Sequence, residues 1–270
     1  MNKRAIRRSF DRAAGSYDAA AALQREVGEL LMEEIAEEIG DRLRFFESQN
    51  RGLSPISSIS LSILDAGCGT GHGLRLLSAR WPHARLVAAD FAPAMLAAAP
   101  GERVGADIEA LPFPAAAFDL YWSSLTIQWC DAARVFGEAA RVLAPGGRLA
   151  VSSLAPGTLA ELDDAFSGID RHRHVLEFAP AQALADACAA AGFRNVALEA
   201  RTIRQHHPDL RSLLSILKSL GANQVGNRRP GLMGRRAWRA VEARYESLRE
   251  NGGLPATWEV ILCTASKPSS

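Results

Sequence analysis

The residues best suited to chemistry lie in Asp65-Ala66-Gly67-Cys68-Gly69-Thr70-Gly71, a glycine-rich turn between the apolar run Leu61-Ser62-Ile63-Leu64 and a helical pattern over 74–80. Glycines let the backbone turn tightly and approach a ligand closely, and the following helix offers unpaired N–H groups in its first turn. Such a loop can hold a small ligand. The same spacing occurs in dinucleotide sites, but a G-x-G-x-x-G fingerprint starting at Gly67 needs glycine at 72, where this chain has His72. The nicotinamide reading loses ground. Asp90 ends the next apolar run, about 20 residues past the loop, where a carboxylate can accept hydrogen bonds from ribose hydroxyls. An ordinary helix N-cap is the plainer alternative for it. Asp107-Ile108-Glu109 follows a third strand and could contact an adenine amino group, and residues 123–129 would close the far side of the cleft.

These residues need a scaffold that brings loops from several strands to one edge. Apolar runs at 61–65, 85–90, 118–123 and 147–152 alternate with helical patterns at 74–80, 93–99 and 132–143, which predicts an α/β fold with a doubly wound, mostly parallel sheet. Ahead of it, Leu23, Val27, Leu30, Leu31, Ile35 and Ile39 mark an amphipathic helix ending at Gly40, preceded by a shorter helix broken near Gly15. The Ser-rich stretch 48–60 reads as a loop. In the last third a helix at 180–191 and a strand at 195–203 are followed by helical patterns at 210–220 and 238–248, which interrupt the sheet before a final strand at 257–263.

Composition sets outer bounds. With 48% apolar and 23% charged residues the chain suits a globular protein, and a net charge of +1 gives no overall pull toward nucleic acid or membrane. No apolar run approaches the roughly 20 residues of a membrane-spanning helix. The basic residues 1–8 are not followed by the apolar segment of a secretory signal. A cytoplasmic protein is expected. Cys68, Cys130, Cys188 and Cys263 form no C-x-x-C pair and read as free thiols. His172-Arg173-His174 invites a metal, but no acid or cysteine stands at ligand spacing, so none is expected.

The order strand, Asp65-x-Gly67-x-Gly69-x-Gly71, helix, strand, Asp90 resembles the class I S-adenosylmethionine methyltransferases over about residues 61–155. That resemblance implies Asp65, Gly67, Gly69 and Gly71 around the methionine moiety and Asp90 on the ribose. It further implies Phe91, Met95, Asp107 and Ile108 toward the adenine side, with Ser123 and Gln128 across the cleft. A narrower resemblance spans nearly the whole chain. Phe10-Asp11-Arg12-Ala13-Ala14-x-x-Tyr17, Leu23-Gln24, Leu111-Pro112-Phe113, Ser124-Leu125-x-Ile127-Gln128-Trp129-Cys130, Gly157-Thr158-Leu159-x-Glu161-Leu162 and Leu217-Lys218-x-x-Gly221-Ala222-Asn223 look like the malonyl-acyl carrier protein O-methyltransferases of biotin synthesis. The chain departs from that pattern in its long Ser-rich stretch and in Trp258, where a tyrosine is expected.

The resemblance implies a Rossmann-like core at 61–205, an N-terminal helical lid and loop at 1–60, an inserted helical lid at 206–255, and the last strand and tail at 256–270. It also implies methyl transfer to the free carboxylate of a malonyl thioester, carried by acyl carrier protein or coenzyme A, with Tyr17 and Lys218 as positioning residues. Plainer readings stand beside these. Tyr17 could only anchor helices, Lys218 could be a solvated charge, and Trp122 and Trp129 could be core. A quinone-type methyltransferase fits residues 61–155 equally well, and a non-catalytic cofactor-binding regulator would keep the same loop. Arg4, Arg8 and Arg12 share a helix face, and Arg228, Arg229, Arg235, Arg236 and Arg239 cluster near the last helix, which suits docking of an acidic carrier as well as plain solvation.

Overall fold

The computed structural model describes residues 2–49, 61–169, 172–220 and 233–269, and over 37–49 the backbone alone. Of the loop expected at 48–60, Ser48 and Gln49 belong to a helix instead, and 50–60, like Arg228, Arg229 and Gly221-Ala222-Asn223, lie outside the described residues. Two helices open the chain, α1 (Lys3–Ala20) and α2 (Ala22–Gln49). The core follows as β1 (Ser62–Ala66), α3 (His72–Arg80), β2 (Arg85–Asp90), α4 (Pro93–Ala98), β3 (Glu102–Gly105), β4 (Phe118–Ser123), α5 (Ala132–Val142) and β5 (Leu143–Leu154). Then come α6 (Ala160–Phe166), α7 (Ala181–Ala190), β6 (Arg194–His207), α8 (Leu210–Ser219), α9 (Arg235–Glu246) and β7 (Leu254–Ser266).

The seven strands form one sheet in the order β3-β2-β1-β4-β5-β7-β6, parallel except for β7, which runs antiparallel to both its neighbours. The chain lays β2 and β3 on one side of β1 and then β4 and β5 on the other. That reversal opens a crevice beyond the carboxyl ends of β1 and β4, where ligands of such sheets bind. Side-chain alternation along the strands covers both faces. Ile63, Leu120 and Trp122 pack with Leu23, Val27, Leu31 and Ile35 of α2, while Leu64, Tyr121 and Val151 pack with Val135, Phe136 and Ala139 of α5. Trp258 is buried in the first of these clusters beside Ile203, so the departure from tyrosine is a matter of core packing.

Three helix boundaries differ from expectation. α1 runs unbroken through Gly15, whose missing side chain would meet nothing within 4 Å. α2 continues nine residues past Gly40. A lone glycine costs a helix only about 1 kcal/mol relative to alanine, too little by itself to end one. α6, absent from the sequence reading, is a short helix whose first turn follows Leu159 in left-handed backbone at φ +56°.

The helices between β6 and β7 are tied to the sheet by Tyr245, fully buried on α9, whose hydroxyl donates to the Pro255 carbonyl at 2.8 Å. Tyr245→Phe removes the donor and leaves a buried carbonyl unpaired. Urea denaturation should show a loss of about 1–3 kcal/mol; an unchanged midpoint would mean that this bond does not anchor the insertion.

Candidate functional site

The ends of β1, β2 and β4 meet under α1 in a cleft with about 990 Å³ of empty space, part of it open to solvent. Its floor is the loop after β1. The amides of Gly67 and Cys68 both donate to Ala89 O, at 2.7 and 3.1 Å, which pins the loop to the end of β2. Asp90 does the same in the other direction. One of its carboxylate oxygens accepts from Gly69 N at 2.9 Å and the other from Ala92 N at 2.7 Å. Ala92, not Asp90, is the N-cap of α4, so the plainer reading fails, although Asp90 does hold the turn that leads into that helix. Being 7% exposed and lining the cleft, it also keeps lone pairs available there.

The three glycines serve different ends. All have positive φ, at 78°, 53° and 86° for Gly67, Gly69 and Gly71. A Cβ on Gly67 would lie 2.3 Å from Thr126 Cγ2 and one on Gly71 2.4 Å from Pro100 Cδ, so these two are demanded by packing. On Gly69 it would point to Tyr17 Cε1 at 3.9 Å, into the cleft. Gly69 is the one of the three whose bareness leaves space open in the cleft. The far wall begins at Leu125, left-handed at φ +48°, whose amide donates to Ser152 Oγ at 2.9 Å. This sharp turn brings the Thr126 hydroxyl back to Gly67 O at 3.2 Å.

α1 forms the roof and is fastened at three places. Lys3 Nζ sits 2.5 Å from Asp107 Oδ2 and 2.7 Å from Glu109 Oε2; Asp11 accepts from Ala94 N at 3.0 Å; and Asp18 accepts from the Thr70 hydroxyl. Between the fastenings Phe10 meets Trp129 edge-on, with ring centroids 5.7 Å apart, and Tyr17 covers Gly69. Burial first, then Asp90 and Asp18, hold the Tyr17 hydroxyl well above its usual range, so it stays protonated.

Of the residues singled out in the sequence, Tyr17, Asp65, Gly67, Gly69, Asp90, Phe91, Met95, Asp107 and Ile108 line this cleft. Three others stand behind its wall. Gly71 faces Pro100, Ser123 is fully buried and donates to Ala66 O at 2.6 Å, and Gln128 donates to Leu125 O at 2.7 Å. Lys218 is exposed on α8, outside the cleft lining, on a helix that packs against α1. Sequence reasoning missed Lys3, Gly28, His72 and Gly73 and gave Gln24 no role, yet all five line the cleft, as does Thr126 from the 123–129 segment expected on its far side. A signal existed for the first: Lys3, Ile6, Phe10 and Tyr17, spaced three, four and seven apart, fall on one face of a helix. His174 stacks on Phe166 at 3.8 Å, and among the described residues no cluster of His, Cys, Asp or Glu is arranged to hold a metal ion.

A doubly wound sheet of this strand order with a glycine loop, a second acid and a roofed cleft at the switch point defines a class I methyltransferase. A family model described as a methyltransferase domain matches residues 64–151. The crystal structure of a Thermotoga maritima SAM-dependent methyltransferase, described as a possible histamine N-methyltransferase, superposes with a TM-score of 0.54 at 17% identity over 97% of this chain and 99% of its own, a likeness of fold. Closer kinship comes from curated proteins named malonyl-[acyl-carrier protein] O-methyltransferase. That of Herminiimonas arsenicoxydans is 41% identical over 99% of this chain and 97% of its own length, and that of Dechloromonas aromatica 42% over 98% and 95%. The chain belongs to the malonyl-[acyl-carrier protein] O-methyltransferase family.

Asp65 is the most perturbed acid in the cleft. It is 2% exposed; burial and then Asp90 push its carboxyl up to about 8, against a smaller downward pull from the Leu74 backbone. The sign of the linkage follows. An unfolded Asp65 loses its proton near pH 4, whereas the ligand-free folded protein keeps it to about 8, so folding stability falls as pH rises across that window and levels off above it. Asp65→Asn should flatten that decline, which approaches about 1.4 kcal/mol per pH unit. Urea midpoints from pH 5 to 8 check this; parallel slopes for the two proteins would refute it.

Proposed function

We propose that this chain transfers a methyl group from S-adenosylmethionine to the free carboxylate of a malonyl thioester, in the cytoplasm, producing the methyl ester that primes biotin synthesis. The observation that carries the reading is kinship along the entire chain. A match confined to residues 64–151 would leave the substrate open, because that segment contains the glycine loop and the strand ends but neither α1 nor the α8–α9 insertion. The relatives match through both, and those are the segments that would read a substrate.

The cleft fits the methyl donor on its own terms. Asp65 Oδ2 is buried without a partner, and Gly69 leaves open the space that a side chain would fill. Asp65, Gly67 and Gly69 would hold the amino-acid end, Asp90 the ribose, and Phe91, Met95, Asp107 and Ile108 the adenine side. When bound, S-adenosylmethionine supplies an electrophilic methyl group on a sulfonium. The protein's own residues do the remainder. A malonyl carboxylate with a pKa near 4 is already ionised at pH 7, so no general base is required. α1 excludes water and fixes alignment, effects that can supply about 7–11 kcal/mol. Tyr17, kept neutral, offers a hydroxyl donor beside Gly69 and orients the carboxylate without pairing it to a cation. Lys3, the one Lys or Arg among the described lining residues, is occupied by Asp107 and Glu109. An unpaired carboxylate remains a stronger nucleophile.

Methyl-labelled donor and malonyl-acyl carrier protein should together give carrier-bound label that mild base releases as methanol. Cofactor binding without any base-labile label on malonyl thioesters would overturn the substrate assignment. Deleting residues 1–20 should leave the sheet folded by circular dichroism and cut turnover at least 10-fold, since α1 would no longer exclude water; full activity would remove α1 from the mechanism.

The carrier itself would meet a basic surface. Arg4, Arg8 and Arg12 are exposed along α1, Arg235, Arg236 and Arg239 along α9, and Lys218 on α8, which packs against both helices. Rim charges act mainly on association and are screened over about 8 Å in physiological salt. Arg235→Glu with Arg239→Glu should raise KM for malonyl-acyl carrier protein and weaken its salt dependence while changing malonyl-coenzyme A kinetics far less. Equal effects on both substrates, or none, would place docking elsewhere.

A further inference from the structure

Four polar side-chain atoms lining the cleft are buried without a hydrogen-bond partner: Asp65 Oδ2, Gln24 Oε1, His72 Nε2 and Trp122 Nε1. Two glycines link them. Gln24 and Gly28 are one turn apart on α2, and a Cβ on Gly28 would lie 3.6 Å from His72 Nε2. The next residue, Gly73, faces the other pair, with a Cβ there falling 2.7 Å from Asp65 Oδ2 and 2.8 Å from Trp122 Nε1. Both glycines sit within helices, where glycine is less favourable than alanine. Their bareness leaves space open beside His72 Nε2 on one side and beside Asp65 Oδ2 and Trp122 Nε1 on the other, in the cleft that Gln24 also lines.

The chemistry of this lining is one-sided. Asp65 offers a carboxylate oxygen and Gln24 an amide oxygen. His72 is bonded to the Arg25 backbone through its other ring nitrogen, so the proton lies there and Nε2 presents a lone pair. Burial, with Arg75 and Arg25 outweighing Glu29, keeps that ring neutral. Each buried acceptor left unpaired is destabilising. Trp122 Nε1 is a donor and plays no part in this set. A primary ammonium meets the demand of the other three, with three N–H groups for three acceptors and a positive charge for a buried acid.

We propose that Gln24 and His72 complete, with Asp65, a seat for the primary ammonium at the amino-acid end of the bound methyl donor. The assignment rests on the methyltransferase reading and deepens it, because α2 lies wholly outside the segment that the methyltransferase-domain model matches. Recognition of the donor would then run through the same N-terminal helices that cover the cleft.

Calorimetry on the full chain tests this with S-adenosylhomocysteine and with 5′-methylthioadenosine, which lacks the amino-acid end. Gln24→Leu and His72→Phe should each weaken S-adenosylhomocysteine roughly 10- to 100-fold and leave 5′-methylthioadenosine within about twofold. That second ligand also reports whether each variant has kept its fold. His72→Gln, which can still present an acceptor, should recover part of the loss, and an S-adenosylhomocysteine analogue with hydrogen in place of the α-amino group should bind wild type and variants alike. Wild-type affinity of both variants for S-adenosylhomocysteine would overturn the seat, as would equal losses for the two ligands. If the wild-type chain binds neither ligand, the methyltransferase reading itself fails.

Discussion

Two buried carboxylates at the ends of adjacent parallel strands govern this cleft. Asp65 and Asp90 are 2% and 7% exposed, and the one Lys or Arg among the described lining residues, Lys3, is spent on Asp107 and Glu109. Two like charges in a medium of low dielectric cannot both persist, so one acid keeps its proton or a cation enters. The two are not equivalent. Burial raises both acids, but backbone amides pull Asp90 back down, while Asp65, with a bare oxygen facing the cleft, holds its proton to about 8. A ligand carrying both a hydroxyl-bearing ribose and positive charge relieves the strain. The glycine loop, the β2 turn and α4 are held where they are by bonds to this same pair or beside it.

The roof follows from a second requirement, that the ligand enter and leave. α1 is mostly polar and buries little, with Ile6, Ser9 and Ala13 its fully covered positions. Its fastenings are ion pairs and hydrogen bonds at the cleft rim, and partly exposed pairs of this kind contribute at most about 1 kcal/mol each. A helix so held can release without disturbing the sheet. α2 differs: Val27, Leu31 and Ile35 are fully buried against the sheet, so it is fixed scaffold.

Much of this was legible in the sequence, and the boundary of legibility has a physical cause. Strands β2 and β4 begin and end where the apolar runs do, because a buried parallel strand must be apolar along its length and stops at the loop that bears chemistry. Asp65, Gly69 and Asp90 were readable for the same reason, being anchored to those strand ends. What escaped depends on contacts between distant segments. Lys3 acquires meaning from Asp107, 104 residues away, and Gly28 from meeting His72 across the α2–α3 packing. The glycines show both sides of the limit: spacing located the loop, but only the positions of Thr126 and Pro100 distinguish the two that packing requires from the one that faces the cleft. Gly15 and Gly40 misled because a glycine is a weak stop unless the backbone turns left-handed there.

The electrostatics of the cleft also bear on the direction of the chemistry. A neutralised Asp65 leaves the ligand-free site with less negative charge than its residue types suggest, so a carboxylate substrate is not turned away by two ionised acids. Once a cation binds, Asp65 can ionise and hold it, and the incoming carboxylate then meets a site whose negative charges are already compensated. Binding in that order is easier than the reverse. A carboxylate arriving first would find Asp90 uncompensated and, among the described lining residues, no free lysine or arginine to receive it. The same pair of acids therefore sets the charge that the cleft presents both before and after a cation enters it.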